Sequence, residues 1–184
     1  MLEPFVVKHC SPTLANLKTA NLFGYVFSSL DELQAQVARL KAQLVPKGVG
    51  VEVLEVRKGR ALIYLYRCCR LNRELQCPET QQLLKNFGYS EFTVSAALHH
   101  LSTRIAQEEG EFPHEIGVFL GYPLGDVKGF IENRGKNSKC VGCWKVYCDV
   151  CEAQKQFCRF EKCRTIYCKL FEGGRTLQKL TVAA

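Results

Sequence analysis

The stretch that decides the fold class is residues 49–67, which read VGVEVLEVRKGRALIYLYR. Valine occupies every second position of its first five residues, as in a strand with one buried face. Residues 57–60 supply a turn, and residues 61–67 carry the β-branched and aromatic side chains of a returning strand. The pattern predicts an antiparallel hairpin, and residues 21–27 are predicted to form a further strand.

Helices are predicted on both sides of this hairpin. A capping box at Ser29–Glu32 opens an amphipathic helix that the sequence Pro46-Lys47-Gly48 ends. Pro78 can begin a second helix, and a third follows it with four apolar residues on one face. A second capping box, Asp149–Glu152, begins a helix near the carboxyl terminus.

Two shorter segments are also assigned. The apolar run 116–121 is predicted as a buried strand that leads into another helix. Few strands among many helices, without strict alternation, predict an α+β fold with a small, mostly antiparallel sheet packed with several helices. We expect a core domain over residues 1–135 and a cysteine-rich helical C-terminal region over residues 136–184 that packs on it.

Composition limits the class of protein. The chain has 184 residues, 47% hydrophobic and 23% charged, with a formal net charge of +7, which is typical of one soluble domain. The longest apolar run, residues 61–66, is far shorter than the ~20 residues of a membrane-spanning helix. The first residues do not resemble a secretory signal, and eleven cysteines are an odd number, so reduced thiols and a cytoplasmic location are expected.

The carboxyl-terminal third is rich in cysteine and invites a metal site. Cys140 and Cys143 have knuckle spacing, and Cys163 and Cys168 follow at a distance compatible with a four-thiolate zinc site. Residues five apart on a regular helix point about 140° apart, which counts against the second pair. An iron-sulfur arrangement and reduced cysteines that simply pack are the alternatives. Zinc is therefore the expected cofactor, if the chain has one.

A thiol site is predicted near the amino terminus. Ser11 and Pro12 favour a helix that begins directly after Cys10, where the helix dipole would lower the pKa of the thiol. His114 and Glu115 precede the predicted buried strand, and loops after such strands often hold ligands. The predicted catalytic residues are Cys10, His114 and Glu115, and the predicted ligand-binding residues are His9, Gly121 and Tyr122. The alternative is that these side chains only anchor turns or pack.

The sequence supports nucleic-acid binding less strongly than it supports a thiol site. Residues 83–98 place apolar residues and a glycine as a helix-turn-helix would, but the second helix lacks basic residues that could read bases. A basic loop over residues 128–145 carries five Lys or Arg residues and opposes them with only Glu132. Such a loop could meet a phosphate, an acidic partner or nucleic acid, although it is more often merely solvated.

Four blocks in order resemble a known family. They are HCSPTLA at residues 9–15, PHEIG at 113–117, LGYP at 120–123 and CVGCWKVY at 140–147. Together with the tail at residues 180–183, they are similar to a bacterial family of proteins of unassigned activity that is known by its PHEIG and LGYP motifs. The resemblance implies a bacterial, cytosolic domain and carries over no catalytic residue. It also implies that Cys148, Cys151 and Cys158, which depart from the family pattern, do not belong to a shared site.

These observations give two functional hypotheses. The first is a bacterial cytosolic protein with a thiol and histidine site for a ligand or redox chemistry, together with a structural metal. The second is a non-enzymatic binding module that uses its basic loop. The expected partner is a small molecule or a protein, the sequence argues against a membrane partner, and nucleic acid is the less favoured ligand.

Overall fold

The structure is a computed structural model that describes residues 1–107 and 112–183. Its strands are β1 (Ala20–Val26), β2 (Val49–Arg57), β3 (Arg60–Arg67), β4 (Cys140–Val141) and β5 (Lys145–Val146). Its helices are α1 (Glu3–Leu14), α2 (Leu30–Leu44), α3 (Cys68–Gln76), α4 (Pro78–Lys85), α5 (Val94–Gln107), α6 (Ile116–Phe119), α7 (Leu124–Glu132), α8 (Val150–Glu172) and α9 (Leu177–Leu180), with a 3-10 turn over Val45–Lys47. The α+β fold predicted from the sequence is confirmed.

The predicted hairpin forms the centre of the fold. Strands β1, β3 and β2 make an antiparallel sheet in that order, with Phe23 and Val53 on either side of Ile63. Lys58 and Gly59 connect β2 to β3 with φ angles of 49° and 73°. Two positive φ angles are what a tight two-residue hairpin requires, because its twist then matches that of the strands.

Helices cover both faces of this sheet. Ile63 and Leu65 belong to a core cluster that includes residues of α1, α2 and α9. The alternate residues Tyr64 and Tyr66 belong to a second cluster, which includes residues of α3, α4, α5 and α7. The alternation of strand side chains therefore divides the main core into two layers, one on each face of the sheet.

The ribbon formed by β4 and β5 has a small core of its own. Trp144 and Val146 of the ribbon pack with Ala153 and Phe160 of α8. Helix α8 also lies along α1, while β5 contacts α7, so the ribbon and α8 together contact elements of both layers of the main core. The boundary between residues 135 and 136 stays a prediction.

Several predicted helices are confirmed together with their caps. The Ser29 hydroxyl accepts a hydrogen bond from the Glu32 amide at the start of α2, and the Asp149 carboxylate accepts one from the Glu152 amide at the start of α8. Pro78 occupies the first turn of α4. Caps and first-turn prolines depend on residues a few positions apart, so the sequence is sufficient to locate them.

The predicted start of the first helix is wrong. Helix α1 begins at Glu3, with Pro4 in its first turn, and Pro12 lies inside the helix near its end. Buried side chains at Val6, Cys10 and Leu14 recur four residues apart and form one face of a longer helix. Cys10 is consequently in the interior of a helix and not at its positive end.

The predicted strand over residues 116–121 is also wrong. Residues Ile116–Phe119 form a single helical turn, and Gly121 follows with a φ of 69°. The burial expected for this segment is observed, because Gly117 and Phe119 are both buried. A short apolar run is compatible with a buried strand or a buried helical turn, and periodicity alone cannot distinguish them.

No helix among the described residues is both long enough and apolar enough to cross a bilayer.

Candidate functional site

A polar pocket of about 330 Å³ lies where α1, the start of β1, the β4–β5 ribbon and α8 meet. We call it the polar pocket. Its lining includes His9, Lys18, Asn21, Tyr122, Cys143 and Arg164. His9, Tyr122 and Cys143 come from three of the four sequence blocks that carry the family resemblance. The fold thus brings together predicted site residues that are far apart in the chain.

Lys18 is the most unusual of these residues. It is 7% exposed, and its ammonium group donates a hydrogen bond of 2.8 Å to the carbonyl of Ala20 and lies 5.1 Å from the centre of the Tyr122 ring. No carboxylate of the described residues lies within ion-pair distance of it. Burial lowers the pKa of Lys18 to about 8, while Cys143 and Cys10 act in the opposite direction. At neutral pH the pocket therefore holds a buried positive charge that forms no ion pair with a described residue.

Two more side chains set the charge of the pocket. Arg164 and Glu161 lie on α8 and both line the pocket, so a positive and a negative group share that wall. His9 stacks on Phe23 with ring centres 5.5 Å apart. Burial and the nearby cations Lys8 and Arg164 lower the pKa of His9, so its imidazole is neutral at pH 7 and can donate or accept a hydrogen bond.

Cys143 places a solvent-accessible thiol at this pocket. It lies in the turn of the β4–β5 ribbon, and the residue is exposed. Desolvation raises the pKa of the thiol, and Lys18 and Arg164 oppose that shift without reversing it. The thiol is therefore protonated at neutral pH, which makes it a contact for a ligand or an oxidisable group and not a ready thiolate nucleophile.

Glycines allow the ribbon and the loop before α7 to approach the pocket. A Cβ atom at Gly142 would lie 2.2 Å from the Phe157 ring, so the turn next to Cys143 can pack on α8 only without a side chain there. Gly121 has a positive φ, and a Cβ atom on it would lie 2.4 Å from the Thr19 hydroxyl. Both positions need glycine because another part of the chain comes too close. Gly121, predicted to bind a ligand, thus positions Tyr122 instead of lining the pocket.

Tyr122 separates the polar pocket from a second cavity. Its hydroxyl donates a 3.1 Å hydrogen bond to the carbonyl of Cys143, and its ring stacks on Trp144 with centres 5.1 Å apart. The second cavity has a volume of about 510 Å³ and is lined mainly by apolar and aromatic side chains, so we call it the apolar pocket. Tyr122 lines both pockets.

The prediction that Cys10 is an exposed, reactive thiol is wrong. The residue is 0% exposed and lies in the core cluster between the sheet and α1. Burial raises the pKa of its thiol, whereas the sequence predicted an exposed thiol with a lowered pKa. The physical reason is the earlier start of α1, which turns Cys10 toward the core.

His114 and Glu115 do not join Cys10. His114 lies in the apolar pocket, with its ring edge-on to Phe130 at 5.3 Å. The Glu115 carboxylate is fully buried, forms a 2.6 Å ion pair with Arg104 and accepts a hydrogen bond from Tyr89. The cluster around Cys10 and the segment after Glu115 lie on opposite faces of the sheet. The predicted triad of Cys10, His114 and Glu115 is therefore not assembled, because Glu115 stabilises the second core layer instead.

The predicted four-cysteine zinc site is not formed either. Within residues 1–107 and 112–183, no group of three or more His, Cys, Asp or Glu side chains is placed to hold a metal ion. Helix α8 is continuous, so the side chains of Cys163 and Cys168 point in different directions. Cys163 is buried, whereas Cys168 is half-buried and packs against the core cluster of α1, α2 and α9. Cys140 and Cys143 lie on the ribbon, where Cys140 is half-buried and Cys143 is exposed.

The basic loop is partly tied to the protein itself. Lys145 donates a 2.7 Å hydrogen bond to the carbonyl of Gly135, and Lys139 donates one of 3.1 Å to the carbonyl of Cys148. Arg134 and Lys136 are exposed. The helix-turn-helix pattern corresponds to α4 and α5, both of which contribute buried residues to the second core layer.

Sequence reasoning missed Lys18 and Arg164. Lys18 lies between α1 and β1, in a stretch whose composition does not distinguish it from a surface lysine. Arg164 is one of several charged residues on α8. The one signal in the sequence was that Lys18 lies three residues after the block at residues 9–15. That position does not predict that the Lys18 side chain is buried.

Comparison with known proteins completes the description of the site. Neither the curated proteins nor the solved structures contain a match to this chain. A family model described as "Protein of unknown function (DUF3793)" matches residues 6–181, which include Lys18, Cys143 and Arg164. Because the match covers almost the whole chain, the protein belongs to the DUF3793 family.

Proposed function

We propose that the polar pocket binds a small anionic molecule of the carboxylate or phosphate class. The observation that carries the proposal is Lys18, a buried ammonium group with no carboxylate within ion-pair distance among the described residues. A buried charge without a partner is costly, and a bound anion would offset that cost. The function that the geometry supports best is therefore ligand binding, with Lys18 as the counter-charge.

The other residues that line the polar pocket limit the kind of anion that it can bind. Arg164 supplies a second positive charge, while Glu161 on the same helix disfavours a molecule with several negative charges. The Thr13 hydroxyl donates a 2.7 Å hydrogen bond to the Asn21 side-chain oxygen, and the Asn21 amide hydrogens, which have no acceptor among the described residues, can donate to a ligand. A monoanion that also carries a hydroxyl or amino group fits this combination of groups.

Cys143 adds a thiol contact to the proposed site. All eleven cysteines are free, which fits a reducing compartment and the bacterial cytosol that we propose as the setting. In this proposal the Cys143 thiol touches the ligand in its protonated form, and its oxidation would obstruct the pocket. In this proposal Cys143 replaces Cys10 as the thiol of the thiol and histidine site, and His9 lines the same pocket.

Calorimetric titration with lactate and with inorganic phosphate tests the proposal. Lys18→Met is expected to weaken binding at least tenfold, because it removes the buried charge. Arg164→Gln is expected to weaken binding by about two- to fivefold, since that side chain is exposed. Arg159→Gln is the matched control, because Arg159 lies on the same helix outside the pocket.

Two further measurements bear on the same proposal. Binding is expected to weaken as the pH rises above 8, where Lys18 loses its proton. A bound anion is expected to slow alkylation of Cys143 by iodoacetamide. Equal affinities for the native protein and Lys18→Met, or no binding of either anion by the native protein, would contradict the proposal.

A further inference from the structure

The apolar pocket is a second site that the polar-pocket proposal does not use. It lies between the turn α6, helix α7 and the β4–β5 ribbon, with a volume of about 510 Å³. Pockets for small organic ligands commonly have volumes of about 300–1,000 Å³ and mainly apolar walls. The walls here include Ile116, Val127, Phe130 and Trp144. The size and lining of the cavity are therefore those of a ligand site.

Asp126 is the one carboxylate among the described residues that line this pocket, and its oxygens are already engaged. One oxygen accepts a 2.8 Å hydrogen bond from the Trp144 indole, and the other accepts two of 2.8 Å from the backbone amides of Tyr147 and Cys148. The residue is 3% exposed. Asp126 thus holds the ribbon against α7, and it does not supply a counter-charge for a cationic ligand.

Apart from Asp126, the charged side chains among the described residues that line the pocket are cationic. Arg134 and Lys145 line the pocket and are both exposed, which places them at its mouth, and His114 also lines it. The Lys145 ammonium group is held in place by the carbonyl of Gly135 at 2.7 Å and by the Phe130 ring, whose centre is 5.7 Å away. A fixed ammonium group above an apolar cavity favours a ligand with one negative end.

We propose that the apolar pocket binds a small organic acid with an apolar body. The body, an alkyl chain or an aromatic ring, would contact Val127, Ile116 and the Trp144 ring. The carboxylate would face Arg134 and Lys145 at the mouth. The proposal is independent of the polar pocket, because it uses neither Lys18 nor Arg164.

The chain offers a built-in reporter for this site, because Trp144 is its single tryptophan and lines the pocket. Titration with octanoate and with phenylacetate is expected to shift the Trp144 emission in a saturable way. Octanamide, which keeps the alkyl chain but not the charge, is expected to bind more weakly by about fivefold or more. Equal binding of octanoate and octanamide would overturn the proposal, as would an emission spectrum unchanged by both acids.

Variants of the two cationic residues test where the carboxylate of the ligand binds. Lys145→Gln and Arg134→Gln are each expected to weaken octanoate binding by about two- to fivefold and to leave octanamide binding unchanged. Lys136→Gln is the matched control, because Lys136 is an exposed lysine of the same loop outside the pocket. A loss in Lys136→Gln as large as that in Lys145→Gln would overturn the proposal, since it would indicate a general effect of surface charge.

Lys18→Met separates this proposal from the previous one. It is expected to weaken anion binding at the polar pocket at least tenfold and to leave octanoate binding intact. Saturation of the Trp144 signal by an acidic peptide but not by octanoate would overturn the small-molecule assignment and make the mouth of the pocket a protein contact.

Discussion

Two buried cations of this protein have different environments. Arg67 is 2% exposed and donates hydrogen bonds to the backbone carbonyls of Thr13, Leu14, Lys47 and Val182. Its guanidinium therefore has acceptors in several directions, and two of them lie at the negative end of the α1 dipole. Among the described residues, Lys18 contacts one backbone carbonyl, that of Ala20, and the face of the Tyr122 ring. The contrast indicates that Arg67 is structural, whereas Lys18 retains capacity to bind a ligand.

The burial of Lys18 predicts a pH dependence of stability. Its pKa is about 8 in the folded protein, against an ordinary value of 10.5. Below pH 8 both folded and unfolded states are protonated, and the full cost of the buried charge is present. Between pH 8 and 10.5 the folded state loses the proton first, so stability attributable to Lys18 rises with pH.

Urea unfolding of the native protein and of Lys18→Met at pH 7.5 and pH 10 measures this effect. The free energy of unfolding of the native protein is expected to gain about 1–3 kcal/mol relative to the variant over that interval. The difference between the two proteins removes the contributions of other titrating groups. A constant difference at both pH values would show that Lys18 is not desolvated.

The thiol environment that the sequence predicted for Cys10 occurs at Cys77. Cys77 is half-buried and directly precedes α4, and hydrogen bonds from the backbone of Thr80 and Glu79 lower the pKa of its thiol. We expect iodoacetamide at pH 7 to modify Cys77 faster than Cys68, which is also half-buried but whose pKa is raised by burial. Peptide mass spectrometry after timed labelling measures both rates, and a faster reaction at Cys68 would contradict the assignment.

At the scale of elements, the β4–β5 ribbon depends on one carboxylate. Each of its strands has only two residues, so its ladder of hydrogen bonds is short. Three hydrogen bonds to Asp126 attach the ribbon and the residues after it to α7. Because the ribbon carries Cys143 and Trp144, both pockets depend on this attachment.

Asp126→Asn tests that dependence. The variant keeps the size of the side chain but replaces an acceptor oxygen by a donor, which must face a backbone amide or the indole. We expect a loss of about 2–4 kcal/mol in the free energy of unfolding and a red shift of the Trp144 emission. Asp149→Asn is the control, because asparagine caps helices as well as aspartate does and α8 is expected to be unaffected. An unchanged emission in Asp126→Asn would be inconsistent with this role.

At the scale of the whole molecule, the two ends of the chain and the central hairpin are joined. The amide of Val182 donates to the carbonyl of Leu14, and the Lys47 ammonium donates to the carbonyls of Gln178 and Thr181. Leu177 and Leu180 of α9 are buried in the first core layer. Arg67, at the end of β3, contacts α1, the 3-10 turn and the tail at once.

Arg67→Met is therefore expected to loosen the whole fold. The substitution preserves much of the apolar volume but removes the hydrogen bonds of a buried guanidinium. The carbonyls of Thr13 and Leu14 keep only their backbone donors, so we expect a loss of about 2–5 kcal/mol in urea unfolding. Arg73→Met, at an exposed position on α3, is expected to change stability by less than about 0.5 kcal/mol. A loss in Arg67→Met no larger than that in Arg73→Met would show that the carbonyls find other partners.

The sequence by itself determined the elements whose signals are local. The β2–β3 hairpin and the helices α2 and α8 were predicted with their turns and caps, because these depend on side-chain periodicity and on contacts between residues a few positions apart. The same local reasoning identified His9 and Tyr122 as ligand-binding candidates, and both line the polar pocket.

Tertiary structure decided the rest. The sequence could not show that Lys18 is buried, that Cys143 and not Cys10 reaches the pocket, or that residues 116–119 form a helical turn. The burial of a residue, its pKa and the side chains that it meets depend on which distant segments pack against it. A short apolar run can be buried equally well as a strand or as a helical turn. The fold class could therefore be predicted from local sequence patterns, whereas the chemistry of the site depends on which distant segments pack together.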